Sequence, residues 1–227
     1  MSPLACWRRV AIVAPHPDDE VLGCGGTIAR LAKDGAQTHV VIVTTGQEPR
    51  FPRKLVETVR EEARRAHAAL GVTTTRYLDF PAAELDRVPS SDLNAALGRA
   101  LDDVAPDTLL LPFIGDIHVD HQLVFNAALV WARPRGASAP ARILAYETLS
   151  ETNWWAPGLT PAFIPNVFVD IGDELEAKLS AFAGFESQLK AFPDERSLEA
   201  IRALAMARGA TVYRRAAEAY AIIRQVL

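Results

Sequence analysis

The sequence is short of several things, and each shortage narrows what the protein can be. Two cysteines, Cys6 and Cys24, stand alone in 227 residues. They form no CxxC pair, so neither a disulfide framework nor a cysteine-rich zinc site is expected, and a reducing, cytoplasmic setting is. No apolar run reaches the roughly 18 residues of a membrane span. The opening stretch "MSPLACWRRVAIV" lacks the apolar segment of a secretory leader. Basic excess is missing too: 24 Lys and Arg face 28 Asp and Glu, a net charge of -4. That balance argues against a nucleic-acid or anionic-membrane partner. Repeats and low-complexity tracts are absent. Apolar residues make up 49% of the chain, enough for a sizeable core, and the length suits one domain.

Strand-like runs recur at 10–14, 39–44, 76–80, 108–113, 142–147 and 166–171. Several are apolar almost throughout, as in strands of a parallel sheet covered on both faces. Helical patterns lie between them, at 21–34, 53–70, 91–104 and 121–132. After the last expected strand come helical patterns at 173–192 and 196–209, and "AAEAYAIIRQV" closes the chain. Gly35 and Gly71 stand where helix ends need them. This alternation implies βαβ units with right-handed crossovers. Segments 133–141 and 151–165 read as loops.

The first chemical signal is "PHPDDE" at 15–20, where an apolar strand runs into a helix. Ligands of open parallel sheets bind beyond the carboxyl ends of strands. His16 and Asp19 lie three residues apart across a turn stiffened by two prolines, which suits a metal pair, with Asp18 beside them. Capping and the helix dipole also favour acids there. Capping needs fewer than three, however, and does not explain His16. "GCGG" at 23–26 lacks the GxGxxG spacing and follows an acidic run, so a dinucleotide site is not expected. Gly25 and Gly26 instead suit close packing of a helix on the sheet. Cys24 reads as a small buried residue.

The second signal is "HVDH" at 118–121, after the strand "TLLLPF". Three of the five histidines fall in these two motifs. His39, opening a strand, and His67, inside an Arg- and Ala-rich helix, read as structural. Two His and one Asp make a three-ligand catalytic zinc site with one position left for water.

Together the motifs resemble the LmbE-like, or PIG-L, family of zinc-dependent N-acetylglucosaminyl deacetylases. The likeness runs through "VREEARRAHAALGV" at 59–72, "YET" at 146–148 and "PNVFVDI" at 165–171. It implies an α/β fold over 1–227: Rossmann-like and three-layered, with a mostly parallel sheet and helices on both faces. It also implies one divalent metal held by His16, Asp19 and His121. By resemblance Asp18 is the general base, His118 steadies the oxyanion in its protonated form, and Asp120 orients His118. Arg60 matches a substrate-contacting arginine. Asp116 and Ile117 stand where a tyrosine of some members finds no match. Zinc is the implied cofactor, and the ligand set also tolerates Fe(II), Mn(II) or Co(II). The implied partner is a small N-acetylated sugar or conjugate, and a homo-oligomer is compatible.

Trp154 and Trp155 could stack on a sugar or serve an interface. Arg50, Arg53 and Lys54 could meet an acidic group or stay solvated. Two other functions fit these residues: an amidase for a thiol conjugate or acylated antibiotic intermediate, and a metal-stabilised carbohydrate-binding protein without turnover. Asp18 and His118 are superfluous to the last of these.

Overall fold

Val10 through Ala14 are all buried, although successive strand side chains point to opposite faces. Both faces of β1 (Arg9–Ala14) are therefore covered. The protein, seen here as a computed structural model, is described over residues 3–135, 139–154, 156 and 159–227. Val10 and Ile12 of β1, with Val40 and Ile42 of β2 (Gln37–Thr45), form one core with four helices. These are α1 (Asp19–Lys33), α2 (Arg53–Leu70), α5 (Leu175–Ala183) and α6 (Leu198–Ala210). Ala11, Val13, Val41 and Val43 face the other way, against α3 (Ser90–Val104) and α4 (Val119–Trp131). Three layers result.

The remaining strands are β3 (Thr74–Pro81), β4 (Thr108–Leu111), β5 (Arg142–Tyr146), β6 (Val167–Asp170) and β7 (Ala217–Gln225). Their spatial order is β3-β2-β1-β4-β5-β7-β6. The first five run parallel, and β7 is antiparallel to both β5 and β6. The chain leaves β1 toward β2 on one side, while β4 lies on the other. This is the switch point of an open sheet, where the loops diverge and leave a crevice. The two histidine motifs follow β1 and β4, the strands on either side of it.

Three expected boundaries move. Pro112 has no amide hydrogen for the ladder, and β4 stops at Leu111. The helix expected over 173–192 ends at Ala183, with Gly184 as its cap, and Phe185 then turns into the core. The segment after α6 is a strand. Its short apolar run fits either period, and its place is set by pairing: β7 covers the edge of β5 and gives β6 its partner.

Gly26 permits the close approach expected of it, since a Cβ there would lie 2.7 Å from Ile171 Cδ1. A buried ion pair enters the same stretch of α1. Lys178 Nζ donates to Glu218 Oε1 at 2.6 Å and to the Leu22 carbonyl at 2.7 Å. Glu218 accepts the amide hydrogens of Gly26 at 2.9 Å and Thr27 at 2.7 Å. Side chains from α5 and β7 thus supply partners within the helix ladder itself.

Candidate metal centre and active site

Pairing between β1 and β2 continues past the strand end. The Thr44 amide (3.0 Å) and hydroxyl (2.8 Å) both donate to the Pro15 carbonyl. This anchors the turn that carries His16. The His16 amide donates to Asp19 Oδ2 at 2.9 Å, folding Asp19 back over the turn. Asp18 sits at the N-cap of α1, but its side chain makes no capping bond. Capping therefore does not account for it. Its backbone holds φ 144°, a conformation that costs a non-glycine residue of order 1–3 kcal/mol.

Glu20 answers for part of that strain. Its Oε2 accepts the Asp18 amide hydrogen at 3.2 Å, and its Oε1 lies 2.8 Å from His67 Nε2. His67 Nδ1 in turn lies 2.8 Å from Thr75 Oγ1. Glu20 and His67 are both buried. His67 is structural as expected, but it works on the third acid of the first motif. Glu20→Leu leaves the Asp18 amide and His67 without their buried partner. It is expected to lower unfolding stability by about 2–4 kcal/mol, read by denaturant titration. A loss within about 0.5 kcal/mol, as at an ordinary surface site, would deny Glu20 this role.

Beyond β4, His118 caps α4 through its ring: the Asp120 amide donates to His118 Nδ1 at 3.1 Å. That leaves Nε2 as the protonated nitrogen of a neutral ring. His121 Nδ1 lies 2.8 Å from Asp116 Oδ2, and Asp116 Oδ1 accepts the Thr152 hydroxyl at 2.6 Å. This arrangement fixes the His121 ring and aims Nε2 at the turn after β1.

The three expected ligands meet. His121 Nε2 lies 3.2 Å from Asp19 Oδ2, and His16 Nδ1 lies 3.3 Å from the same oxygen. The His16 and His121 rings are 5.4 Å apart, and the three ligand atoms lie within 4.8 Å of one another. His16, His118 and Asp120 form a second cluster of the same reach. Hydrogen bonding separates the two. Asp19 Oδ1 and His121 Nε2 are buried with no hydrogen-bond partner. Buried polar atoms are rarely left so, and both belong to the first cluster. In the second, Asp120 Oδ2 already accepts the Ala83 amide hydrogen at 2.7 Å and lies 3.1 Å from His16 Nε2. Two imidazoles and a carboxylate with lone pairs facing one point fit a divalent cation.

The Asp120 carboxylate makes other contacts than those the resemblance implies. It meets His16 and the backbone of Ala83, and its link to His118 runs through its amide. Arg60 lines the cavity beside His16 and Asp18. Its guanidinium pairs with Asp79 and stacks 4.6 Å over the Tyr77 ring.

The charges follow from these contacts. Burial opposes a charge on His16, but Asp120 and Asp19 outweigh it and raise its pKa to about 9. Burial opposes one on His121 as well, and Asp19 and Asp116 push it well above the ordinary value. Burial raises Asp116 in turn, against the pull of His121 and Thr152. Burial also raises Asp18 to about 7, against the pull of Arg196, whose Nη1 donates to Asp18 Oδ2 at 3.1 Å. Burial and the neighbouring His16 lower His118, in keeping with a neutral ring.

Several site residues carried no motif. Asp116, Thr152, Glu151, Gln188 and Arg196 reach the centre from loops after β4 and β5 and from the turns before α6. Asp116, five residues before His121, was the one with a readable cue. Trp154 is exposed and donates to Glu195, away from the cavity, and Trp155 lies outside the described residues. Cys24 is buried, with its thiol pKa pushed up by burial, as a structural residue has it.

A Rossmann-like sheet with a His/Asp cluster at its switch point defines the architecture, and comparison with known proteins places the chain. The family model described as GlcNAc-PI de-N-acetylase, PIG-L, matches residues 11–132. The uncharacterized deacetylase YaiS of Escherichia coli is 30% identical over 79% of this chain and 91% of its own length. The 1D-myo-inositol 2-acetamido-2-deoxy-alpha-D-glucopyranoside deacetylase of a Mycobacterium species is 29% identical over 87% of this chain and 80% of its own. Among solved structures, the N,N'-diacetylchitobiose deacetylase of Pyrococcus horikoshii superposes with a TM-score of 0.77 at 25% identity, covering 97% of this chain and 85% of that one. The chain therefore belongs to the PIG-L family of de-N-acetylases.

Proposed function

We propose that the protein is a metal-dependent hydrolase that removes the acetyl group from an N-acetylglucosamine-type sugar or sugar conjugate. The observation that carries this reading is the cluster of His16, Asp19 and His121, with the buried Asp19 Oδ1 left without a hydrogen-bond partner, beside an Asp18 carboxylate that caps nothing and faces the cavity. Family membership supports deacetylation, and the sugars named for the mycobacterial and Pyrococcus relatives support the substrate class. The cavity beside these groups is about 220 Å³ and is lined by His16, Asp18 and His118.

His16, Asp19 and His121 would hold the cation, with zinc favoured and Fe(II), Mn(II) and Co(II) compatible. When bound, such a cation lowers the pKa of water and polarises an acyl oxygen. Asp18 accepts the proton of the water that adds to the acetyl carbon, and a pKa near neutrality suits that task. Arg196 fixes the orientation of its carboxylate. His118 offers its Nε2 hydrogen to the carbonyl oxygen as negative charge builds there. The ring does this neutral, because a backbone amide occupies Nδ1. The C–N bond then breaks, and the amine leaves with the proton that Asp18 carries. Water and amide become acetate and an amine, with the proton accounted for.

The metal-loaded protein is expected to release acetate from N-acetylglucosamine conjugates. A chelator should stop the release, and added zinc should restore it. Measured acetate that is absent from every such conjugate, or unchanged by chelation, would sink the reading. Among the described residues no helix is long and apolar enough to cross a membrane.

A further inference from the structure

The cavity over the metal centre has two unlike walls. From the side of β2 and α2 come Phe51, Leu55, Val56 and Val59. From the side of β5 and α6 come Glu151, Gln188 and Arg196. The sheet order sets them on opposite flanks of the switch point, and His16, Asp18 and His118 line the same space.

The apolar wall lies outside both cores. Along α2, Ala63, Ala66 and Leu70 belong to the core under the sheet. Phe51, Leu55, Val56 and Val59 belong to neither core cluster. Leu55, Val56 and Val59 nevertheless keep helical spacing over the first turns of α2, and Phe51 joins them from just before the helix. Leu55 remains 39% exposed, and the other three are half-buried. Phe51 and Val56 pack against Gly46 at the end of β2, and all four side chains open onto the reacting groups. Gly46 helps to place them: a Cβ there would lie 2.7 Å from Phe51 Cβ, so only glycine lets Phe51 sit against the β2 end. The basic residues of the same segment turn elsewhere. Arg53 and Lys54 are exposed, and Arg50 pairs with Glu84 at 3.2 Å. The segment that could have met an acidic group presents a hydrocarbon surface instead.

We infer that the substrate is amphiphilic: it carries an alkyl or aryl group of several carbons close to the scissile amide, seated against Phe51, Leu55, Val56 and Val59. Its hydroxyl-bearing part faces Glu151, Gln188 and Arg196. This rests on the deacetylase reading and narrows it, since a free monosaccharide leaves the apolar wall wet. The hydrocarbon is borne either by the aglycone or by the acyl group.

Two substrate series with the zinc-loaded protein separate those sources. One compares methyl, phenyl and octyl glycosides of N-acetylglucosamine. The other compares N-acetyl, N-butanoyl and N-octanoyl glucosamine. Within one series kcat/KM is expected to rise by about tenfold or more with hydrocarbon size. Leu55→Gln and Val59→Asp are expected to bring that ratio back toward one, and Leu55→Gln, at an exposed site, spares folding. Flat or falling ratios in both series would overturn the inference while leaving the deacetylase reading intact. Calorimetric binding of the amine products, methyl and octyl glucosaminide, needs no turnover. An octyl preference of about tenfold without any hydrolysis would uphold the amphiphilic pocket and defeat the deacetylase reading. Neither hydrolysis nor preference would defeat both.

Discussion

Asp18→Asn is expected to lower kcat/KM by about 10²–10⁴-fold while metal content stays full. Asparagine keeps the shape, tolerates an unusual φ as aspartate does, and still accepts from Arg196. It cannot take a proton. Steady-state kinetics and elemental analysis on the same preparation check this. Full occupancy with an unchanged rate would remove Asp18 as the base. The pH profile adds a sign. Burial holds Asp18 near 7, and a neighbouring cation pulls it down, so wild-type activity should fall as pH drops through a value at or below about 7. The residual rate of the asparagine variant should lack that acid limb.

His121→Ala should be the more severe change, with the metal gone and turnover below detection. It removes a ligand atom whose ring is fixed by Asp116 and Thr152. A folded His121→Ala protein, verified by circular dichroism, that keeps a full complement of metal would take His121 out of the ligand set. In the metal-free wild type, His16, raised to about 9, and His121, also raised, hold protons that a cation must displace. Zinc affinity is therefore expected to be higher at pH 8 than at pH 6, by competition with a chromophoric chelator. Equal affinity at the two values would contradict the protonated cluster.

The sequence made most of the sheet legible because buried parallel strands are written as unbroken apolar runs, as in "VAIVA" and "TLLL". It hid β7 because "AEAYAIIRQ" has no period of its own, and its two neighbours decide its state. His16 and Asp19 could be named because their motif is local and sits at a strand end, and the family resemblance picked His121 out of "HVDH". Their meeting depends on β1 lying beside β4, a fact of topology that the motifs do not contain. Residues that act through distant partners were silent. Nothing in "DERS" marks Arg196 as the neighbour of Asp18, and Glu20 finds His67 only because α2 packs beside α1. The contact expected between the Asp120 carboxylate and His118 shows the same limit. The family resemblance implied it, and the folded backbone gave that carboxylate to His16 and Ala83 instead.

The Lys178–Glu218 pair sets an order of events. Glu218 lies 192 residues beyond Gly26, whose amide hydrogen it accepts. During synthesis the ribosome must deliver those 192 residues before that amide finds its permanent acceptor. The helix opening with Asp19 thus completes its hydrogen bonding only once β7 stands between β5 and β6.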